Sequence, residues 1–244
     1  MRVAVLSDIH GSLQALEAVI ADIHRSSPDA VFHGGDLVVN GPRPDEVATR
    51  LRELGWPGVL GNTDEMLWTL NALPDQVTRM PRLEALLRVL YEHTAPAALE
   101  RLSDDNLSWL KSLPRQLSHD GLVLLHASPN NLWQAPPPDV NDDQLIATYE
   151  PLGGAVVVYG HIHRPFVRTL TGMIVANSGS VGLTWDGDPR ASYLLIDETD
   201  VRICRVEYPI EDEVQDLLAS RFPYARWLGE MRRLGNYLPP DDGP

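Results

Sequence analysis

Val3-Ala4-Val5-Leu6-Ser7-Asp8-Ile9-His10 is the stretch from which the rest of the chain can be read. Its four apolar residues make a short buried strand, and the strand runs out into two metal-ligating residue types. Side chains of an extended segment alternate faces, so Asp8 and His10 are expected on one side, gripping a cation between a carboxylate and an imidazole. Partners for that pair recur downstream.

Leu13, Leu16, Val19, Ile20 and Ile23 are spaced by three and four, which predicts a helix ending near Ser26-Ser27-Pro28. Ala30-Val31-Phe32 is a second short strand, closing on His33-Gly34-Gly35-Asp36. A second helix is expected from Pro44, with Val47, Leu51 and Leu54 on one face and Gly55 as its cap. Pro57-Gly58-Val59-Leu60 reads as a third strand, ending in Gly61-Asn62-Thr63-Asp64. Strands alternating with helices argue for βαβ units and an α/β class, and such sheets bind ligands at the carboxyl ends of their strands.

From about 65 to 114 the pattern changes. Leu83, Leu86, Leu87 and Leu90, then Leu99, Leu102, Leu107 and Leu110, predict amphipathic helices broken at Pro81, Pro96 and Pro114. This helical insertion is expected to serve as a lid, an oligomer surface or plain packing. Strands resume at Leu122 to Leu125, delivering His126; a loop with Trp133 and a short helix from Asp142 to Glu150 follow. Ala155 to Tyr159 is the next strand, ending in Gly160-His161-Ile162-His163. Short runs at Phe166 to Thr169, Met173 to Ala176, Tyr193 to Ile196 and Val201 to Val206 suggest antiparallel pairing, hence mixed α+β sheets. Val214, Leu217 and Leu218 share a helical face, and a loose tail is expected over about 236–244 of a single domain spanning 1–244.

With 43% hydrophobic residues, a chain of 244 residues can bury a full core. Cys204 is the one cysteine, so no internal disulfide forms, which suits a reducing compartment. The N-terminus does not read as a signal peptide and no run reaches the roughly 18 apolar residues of a membrane span, so a cytoplasmic location without membrane partners is expected. A net charge of −14 repels nucleic-acid polymers, and an anionic substrate then needs cations that invert the potential locally.

Asp8, His10, Asp36, Asn62, His126, His161 and His163 all stand at strand ends, with Gly35, Gly61 and Gly160 beside them. Each alone also reads as a cap or a satisfied polar group. Together they are too many donors for one tetrahedral ion and suit two ions of higher coordination. Two ions about 3.5–4 Å apart lower the pKa of a bridging water towards about 7 and clamp an in-line phosphoryl displacement. The residues therefore point to a dimetal hydrolase.

Asp8-Ile9-His10, Gly35-Asp36, Gly61-Asn62, His126 and Gly160-His161-Ile162-His163, in this order, resemble the five motifs of the calcineurin-like metallophosphoesterase superfamily. Gly41-Pro42-Arg43-Pro44, Ala127-Ser128-Pro129 and Asn177-Ser178-Gly179-Ser180-Val181-Gly182 resemble its small bacterial and archaeal phosphodiesterase branch. The resemblance implies a four-layer α/β/β/α sandwich and two divalent ions, Mn, Fe or Zn. It places Asp8, His10 and His163 on the first ion, Asn62, His126 and His161 on the second, and Asp36 between them.

The activity so implied is hydrolysis of small phosphodiesters or nucleotides by a metal-bridging hydroxide. Thr63 stands where many members have a histidine that acts as general acid, which disfavours poor leaving groups. A phosphodiesterase is therefore expected ahead of a phosphomonoesterase, with a catalytically silent protein-interaction scaffold as the alternative from another class. Asp64 keeps the family's acidic residue, as support for the ligands or as a helix N-cap. Arg43 and Arg164 adjoin the motifs and are candidates for substrate oxygens, and Trp133 for stacking a base; each also reads as an ordinary surface or core residue. His33 is a weaker candidate for the missing proton donor. The insertion and the Trp133 loop would cover the site and exclude polymers.

Overall fold

The computed structural model describes residues 1–198 and 200–240. β1 (Arg2–Leu6) and β2 (Ala30–His33) run parallel, joined by α1 (Leu13–Ser26). The helix buries Ala15, Leu16, Val19, Ile20 and Ile23, and it stops where Ser27 turns left-handed and returns its N–H to the carbonyls of Ile23 and His24. α2 (Pro44–Leu54) starts on a proline whose missing N–H costs nothing there and ends on Gly55 at φ 64°.

The helical stretch follows as α3 (Asn62–Met66), α4 (Leu73–Arg79), α5 (Glu84–Val89), α6 (Ala95–Leu99) and α7 (Asp104–Ser112). Pro81 does open a new turn, but Pro96 does not break the chain. Leu90–Thr94 widens into a π turn that carries α5 into α6, just ahead of a ring that would clash with an α-helical carbonyl four residues back.

β3 (Gln116–His119), β4 (Leu122–Leu125), α8 (Asp142–Tyr149), β5 (Val156–Tyr159), β6 (Phe166–Leu170) and β7 (Met173–Asn177) build the second half. β8 (Ala191–Asp197), β9 (Asp200–Val206), α9 (Ile210–Ala219) and α10 (Ala225–Leu234) complete it. One sheet has the order β2-β1-β8-β9 and the other β3-β4-β5-β7-β6. Both are mixed: β4, β5 and β7 are parallel, whereas β3, β6, β8 and β9 pair antiparallel with their neighbours.

Strand alternation sorts the core into layers. Val3, Val5, Leu194 and Ile196 face Leu124, Val156, Val158 and Ala176 across the gap between the sheets. Ala4 and Leu6 point the other way, under α1 and α2. On the far side Val123, Leu125, Val157 and Val175 pack against Leu145 and Tyr149 of α8. The result is the four-layer α/β/β/α sandwich. Strands covered on both faces read as unbroken apolar runs, which is why they were legible.

Several expectations need correction. Pro57 to Leu60 is extended but forms one bridge, Gly58 to His33, rather than a strand. Pro57 O accepts from His33 N at 3.1 Å and Val59 N donates to His33 O at 3.0 Å, but Leu60 donates instead to the carbonyl of Pro114, 2.8 Å away. β3 was not anticipated, being an exposed edge strand whose one apolar residue is Leu117. On α9, Val214 and Leu217 are buried while Leu218 is exposed. The tail expected to be loose divides: Trp227 Nε1 donates to the carbonyl of Leu238 at 3.0 Å and Tyr237 meets Trp185 edge-on, while residues 241–244 lie outside the described residues.

Candidate metal centre

All seven expected donors converge at the carboxyl ends of the strands. Asp8 and His10 follow β1, Asp36 follows β2, Asn62 opens α3, His126 follows β4, and His161 and His163 follow β5. Six of them are buried and His161 is half-buried.

Strand alternation is not what brings Asp8 and His10 together. β1 ends at Leu6, and Asp8, His10, Asp36, His161 and His163 all sit at φ between 52° and 67°. Non-glycine residues pay about 1–3 kcal/mol each for such backbone, and they persist where surrounding contacts over-determine them. Those contacts are present: Asp8 N donates to Gly35 O at 3.0 Å and His10 N to Asp36 O at 3.1 Å. Ser180 Oγ donates to the Asp8 carbonyl at 2.6 Å, and Asn177 Nδ2 to that of Gly160 at 2.6 Å. The Asn177-to-Gly182 motif thus ties the Asp8 loop to the Gly160 loop. Glycine is required where these loops cross: a Cβ on Gly61 would lie 2.1 Å from Asp36 Oδ1, and one on Gly160 2.2 Å from Ser7 Oγ.

The donor atoms fall into two groups. Asp8, His10, Asp36 and His163 each offer an atom, all within 4.8 Å of one another. His163 Nε2 lies 3.1 Å from His10 Nε2 and 3.2 Å from Asp8 Oδ1. In the second group, His126 Nε2 and His161 Nδ1 both stand 2.9 Å from Asn62 Oδ1, and His126 Nε2 is 3.5 Å from Asp36 Oδ1. Asp36 touches both groups, with Oδ2 3.8 Å from His10 Nε2.

The opposite ring nitrogens fix the tautomers, because each donates to a backbone carbonyl. His10 Nδ1 donates to Val39 at 2.8 Å, His126 Nδ1 to Gly34 at 2.8 Å, His163 Nδ1 to Leu183 at 2.5 Å and His161 Nε2 to Trp133 at 3.1 Å. The inward nitrogens therefore present lone pairs to one another, to Asn62 Oδ1 and to the carboxylates. Burial and neighbouring histidines push His10 and His161 down to about 3, so neither is a cation at neutral pH. Lone pairs packed against lone pairs fit cations between them, and each histidine already has the outer carbonyl that ligating imidazoles require.

The carboxylates carry the same signature. Burial alone would raise Asp8, but His163, His126 and His10 outweigh it and hold Asp8 well below the usual range. Burial and the charge of Asp8 push Asp36 up to about 7. Asp64, fully buried, is pushed up to about 7 by burial and by Asp36. Bound cations would reverse that cost. Asp64 accepts from Leu37 N at 2.9 Å and Gly61 N at 3.2 Å, bridging the two turns that carry Asp36 and Asn62.

Beside the donors lies a cavity of about 400 Å³. Thr63 is at its base; its N–H donates to Asp36 Oδ1 at 2.9 Å and its hydroxyl has no partner of good geometry among the described residues. Trp133 lines the wall, its ring stacked on Tyr91 with centroids 6.0 Å apart, and Arg164 lines it while donating to the Trp185 carbonyl. Arg43 does not reach this space: Asp216 holds it with two bonds of 2.6 and 2.7 Å, and Glu46 adds a third. His33 packs edge-on to Trp109 and lies away from the cavity, so it supplies no proton there.

Residue-by-residue reading missed Arg232. It is buried on α10, and its Nη2 donates to the carbonyl of Asn40 at 2.9 Å and, more weakly, to that of His10 at 3.4 Å. Its Nε is 4.0 Å from Glu213 Oε1 of α9.

A four-layer mixed sandwich whose strand ends gather imidazoles, carboxylates and a carboxamide defines a metal-dependent phosphoric ester hydrolase. The chain belongs to the calcineurin-like phosphoesterase superfamily, whose domain model matches residues 1–200. It is 31% identical to an uncharacterised protein of Methanocaldococcus jannaschii over 96% of this chain and 98% of that one. It is 30% identical to the phosphodiesterase YfcE of Escherichia coli over 81% of this chain and 88% of that protein. The crystal structure of a metallophosphoesterase from Sphaerobacter thermophilus matches with a TM-score of 0.78 at 26% identity, covering 96% of this chain and all of that one. No helix of the described residues is long and apolar enough to cross a membrane.

Proposed function

We propose that the chain is a two-metal phosphodiesterase acting on small phosphodiesters or nucleotides. The observation that carries this is the pair of lone-pair clusters sharing Asp36, one around His10 and His163 and the other around Asn62. Asp8, His10 and His163 would hold one divalent ion, Asn62, His126 and His161 a second, and Asp36 both; Mn, Fe and Zn all suit this nitrogen and oxygen set. Bound there, such ions supply Lewis acidity for phosphoryl oxygens and a water acidic enough to attack at neutral pH.

The chain's own residues set geometry and selectivity. The four backbone carbonyls orient the imidazoles, and Asp64 holds the Asp36 and Asn62 turns at one spacing. Among the described residues the cavity wall carries no histidine beyond the ligands, and Thr63 is a poor acid, so leaving groups that need no proton are favoured. The complete donor set supports an enzyme over a scaffold.

With Mn²⁺ added, bis(p-nitrophenyl) phosphate should turn over faster than p-nitrophenyl phosphate. Asp36→Asn should lower that rate by more than the roughly 10–100-fold that even outer partners of a metal site contribute. Turnover of neither ester, or turnover untouched by Asp36→Asn, overturns the proposal.

A further inference from the structure

The cavity beside the donors has a polar floor and an apolar wall. The floor is the donor set with Asn40 and Thr63. The wall is built by Met80, Leu83 and Leu86 from the helical stretch, Trp133 from its loop, and Trp227 and Met231 from α10. Away from the floor, its polar side-chain groups among the described residues are the Arg164 guanidinium, the Tyr237 hydroxyl and the indole N–H groups of Trp133, Trp185 and Trp227, of which Trp227 Nε1 is already bonded to the Leu238 carbonyl and Trp185 Nε1 has no partner; no carboxylate, carboxamide, serine or threonine stands among them.

That chemistry is selective. Recognition of a nucleobase needs donors and acceptors matched to the base edge, and ribose hydroxyls need partners once water is removed. This wall offers donors in Arg164, Tyr237 and the indoles but no carboxylate or carboxamide acceptor among the described residues, so it matches a base edge or a ribose on one side only. Its volume, about 400 Å³, falls within the range of small-ligand sites, about 300–1,000 Å³. At roughly 30 Å³ per water-sized group, it has room for about a dozen heavy atoms.

We propose that this cavity receives the organic half of the substrate, and that this half is an alkyl chain or an aryl ring without hydrogen-bonding substituents rather than a nucleoside. The proposal rests on the phosphodiesterase reading for the reaction, and on the cavity alone for the binding. Each buried methylene should then tighten binding about two- to fourfold until the space is filled.

Two experiments keep the proposal and the reaction separable. With the Mn²⁺-loaded protein, p-nitrophenyl alkyl phosphates from methyl to octyl are compared with the p-nitrophenyl ester of thymidine 5′-phosphate. The expected result is a kcat/KM that climbs with chain length and a nucleoside ester no better than the methyl one. Leu83→Gln and Leu86→Gln, on exposed and half-buried wall positions, should flatten the climb while thermal unfolding shows the fold intact. With metal-free protein, 1-octanol should change tryptophan emission saturably and adenosine should not, since Trp133, Trp185 and Trp227 line the space. A flat series or a preferred nucleoside ester overturns the proposal and leaves the phosphodiesterase standing. If no ester is hydrolysed, the octanol titration decides: saturable binding weakened by Leu83→Gln supports the cavity's role, and no saturable binding overturns it.

Discussion

Arg232→Met removes a cation buried behind the candidate metal centre. Arg232 and Glu213 both have side chains with 0% exposure, 4.0 Å apart, and among the described residues neither carboxylate oxygen of Glu213 has a hydrogen-bond partner of good geometry. Deleting one member of such a pair leaves the other charge buried alone, a loss of about 3–5 kcal/mol. At about 2–4 °C per kcal/mol for a chain of this size, the melting temperature should fall by roughly 6–20 °C. The pH dependence has a definite sign. Burial raises the Glu213 carboxyl above its ordinary 4.5, against the pull of Arg232. A carboxyl raised on folding contributes stability below its unfolded pKa and loses it as pH climbs through the folded value. Without Arg232 that folded value climbs further, so the deficit of the variant should be smallest near pH 4 and grow towards pH 8.

The double variant Arg232→Met, Glu213→Leu removes the orphaned charge and should recover most of the loss in thermal scans. It should not recover metal binding. The carbonyls of Asn40 and His10 lose their donor in both variants, and Mn²⁺ affinity should fall by roughly 10–100-fold, as for other outer contacts of metal sites. A single variant that melts with the wild type, or a deficit that shrinks as pH rises, would refute the reasoning.

Asp64→Asn keeps the shape but gives up one of two acceptors for the N–H groups of Leu37 and Gly61; calorimetry should show a loss of about 1–3 kcal/mol, and metal titration a weaker site. Gly61→Ala drives a methyl to 2.1 Å from Asp36 Oδ1, so metal uptake measured by elemental analysis should collapse even though no candidate ligand is changed. Thr63→Val replaces a buried hydroxyl that has no partner of good geometry among the described residues, so stability should stay within about 1 kcal/mol or improve; a fall in diester turnover would mean that the hydroxyl touches substrate.

Six of the seven candidate positions were legible because each stands just after an apolar run that forms a covered strand, whereas Asn62 follows a run that makes one bridge only. The reason given for their convergence was not. Pleat alternation predicts Asp8 and His10 on one face, whereas both are left-handed turn residues held by loops up to 172 positions away, and sequence spacing carries no trace of that. Arg43 sits beside a motif in sequence, but Asp216 arrives from α9 to claim it. Arg232 lies among charged neighbours on a short amphipathic helix and reads as one more solvated side chain; its burial is a tertiary fact. The Pro57 run stops at one bridge because Leu60 turns its N–H to the carbonyl of Pro114, a tertiary contact that sequence spacing does not carry.

The left-handed backbone at Asp8, His10, Asp36, His161 and His163 also acts as a filter on replacement. Asparagine, aspartate and histidine tolerate that conformation several-fold better than other non-glycine residues, and β-branched ones hardly at all. An alanine or valine there would therefore alter the course of the main chain together with the missing donor. Carboxamide exchange preserves the path, so Asp→Asn and His→Asn are the changes whose effects can be assigned to the ligand itself. The same filter narrows the routes by which mutation can retire this centre and still leave a folded protein.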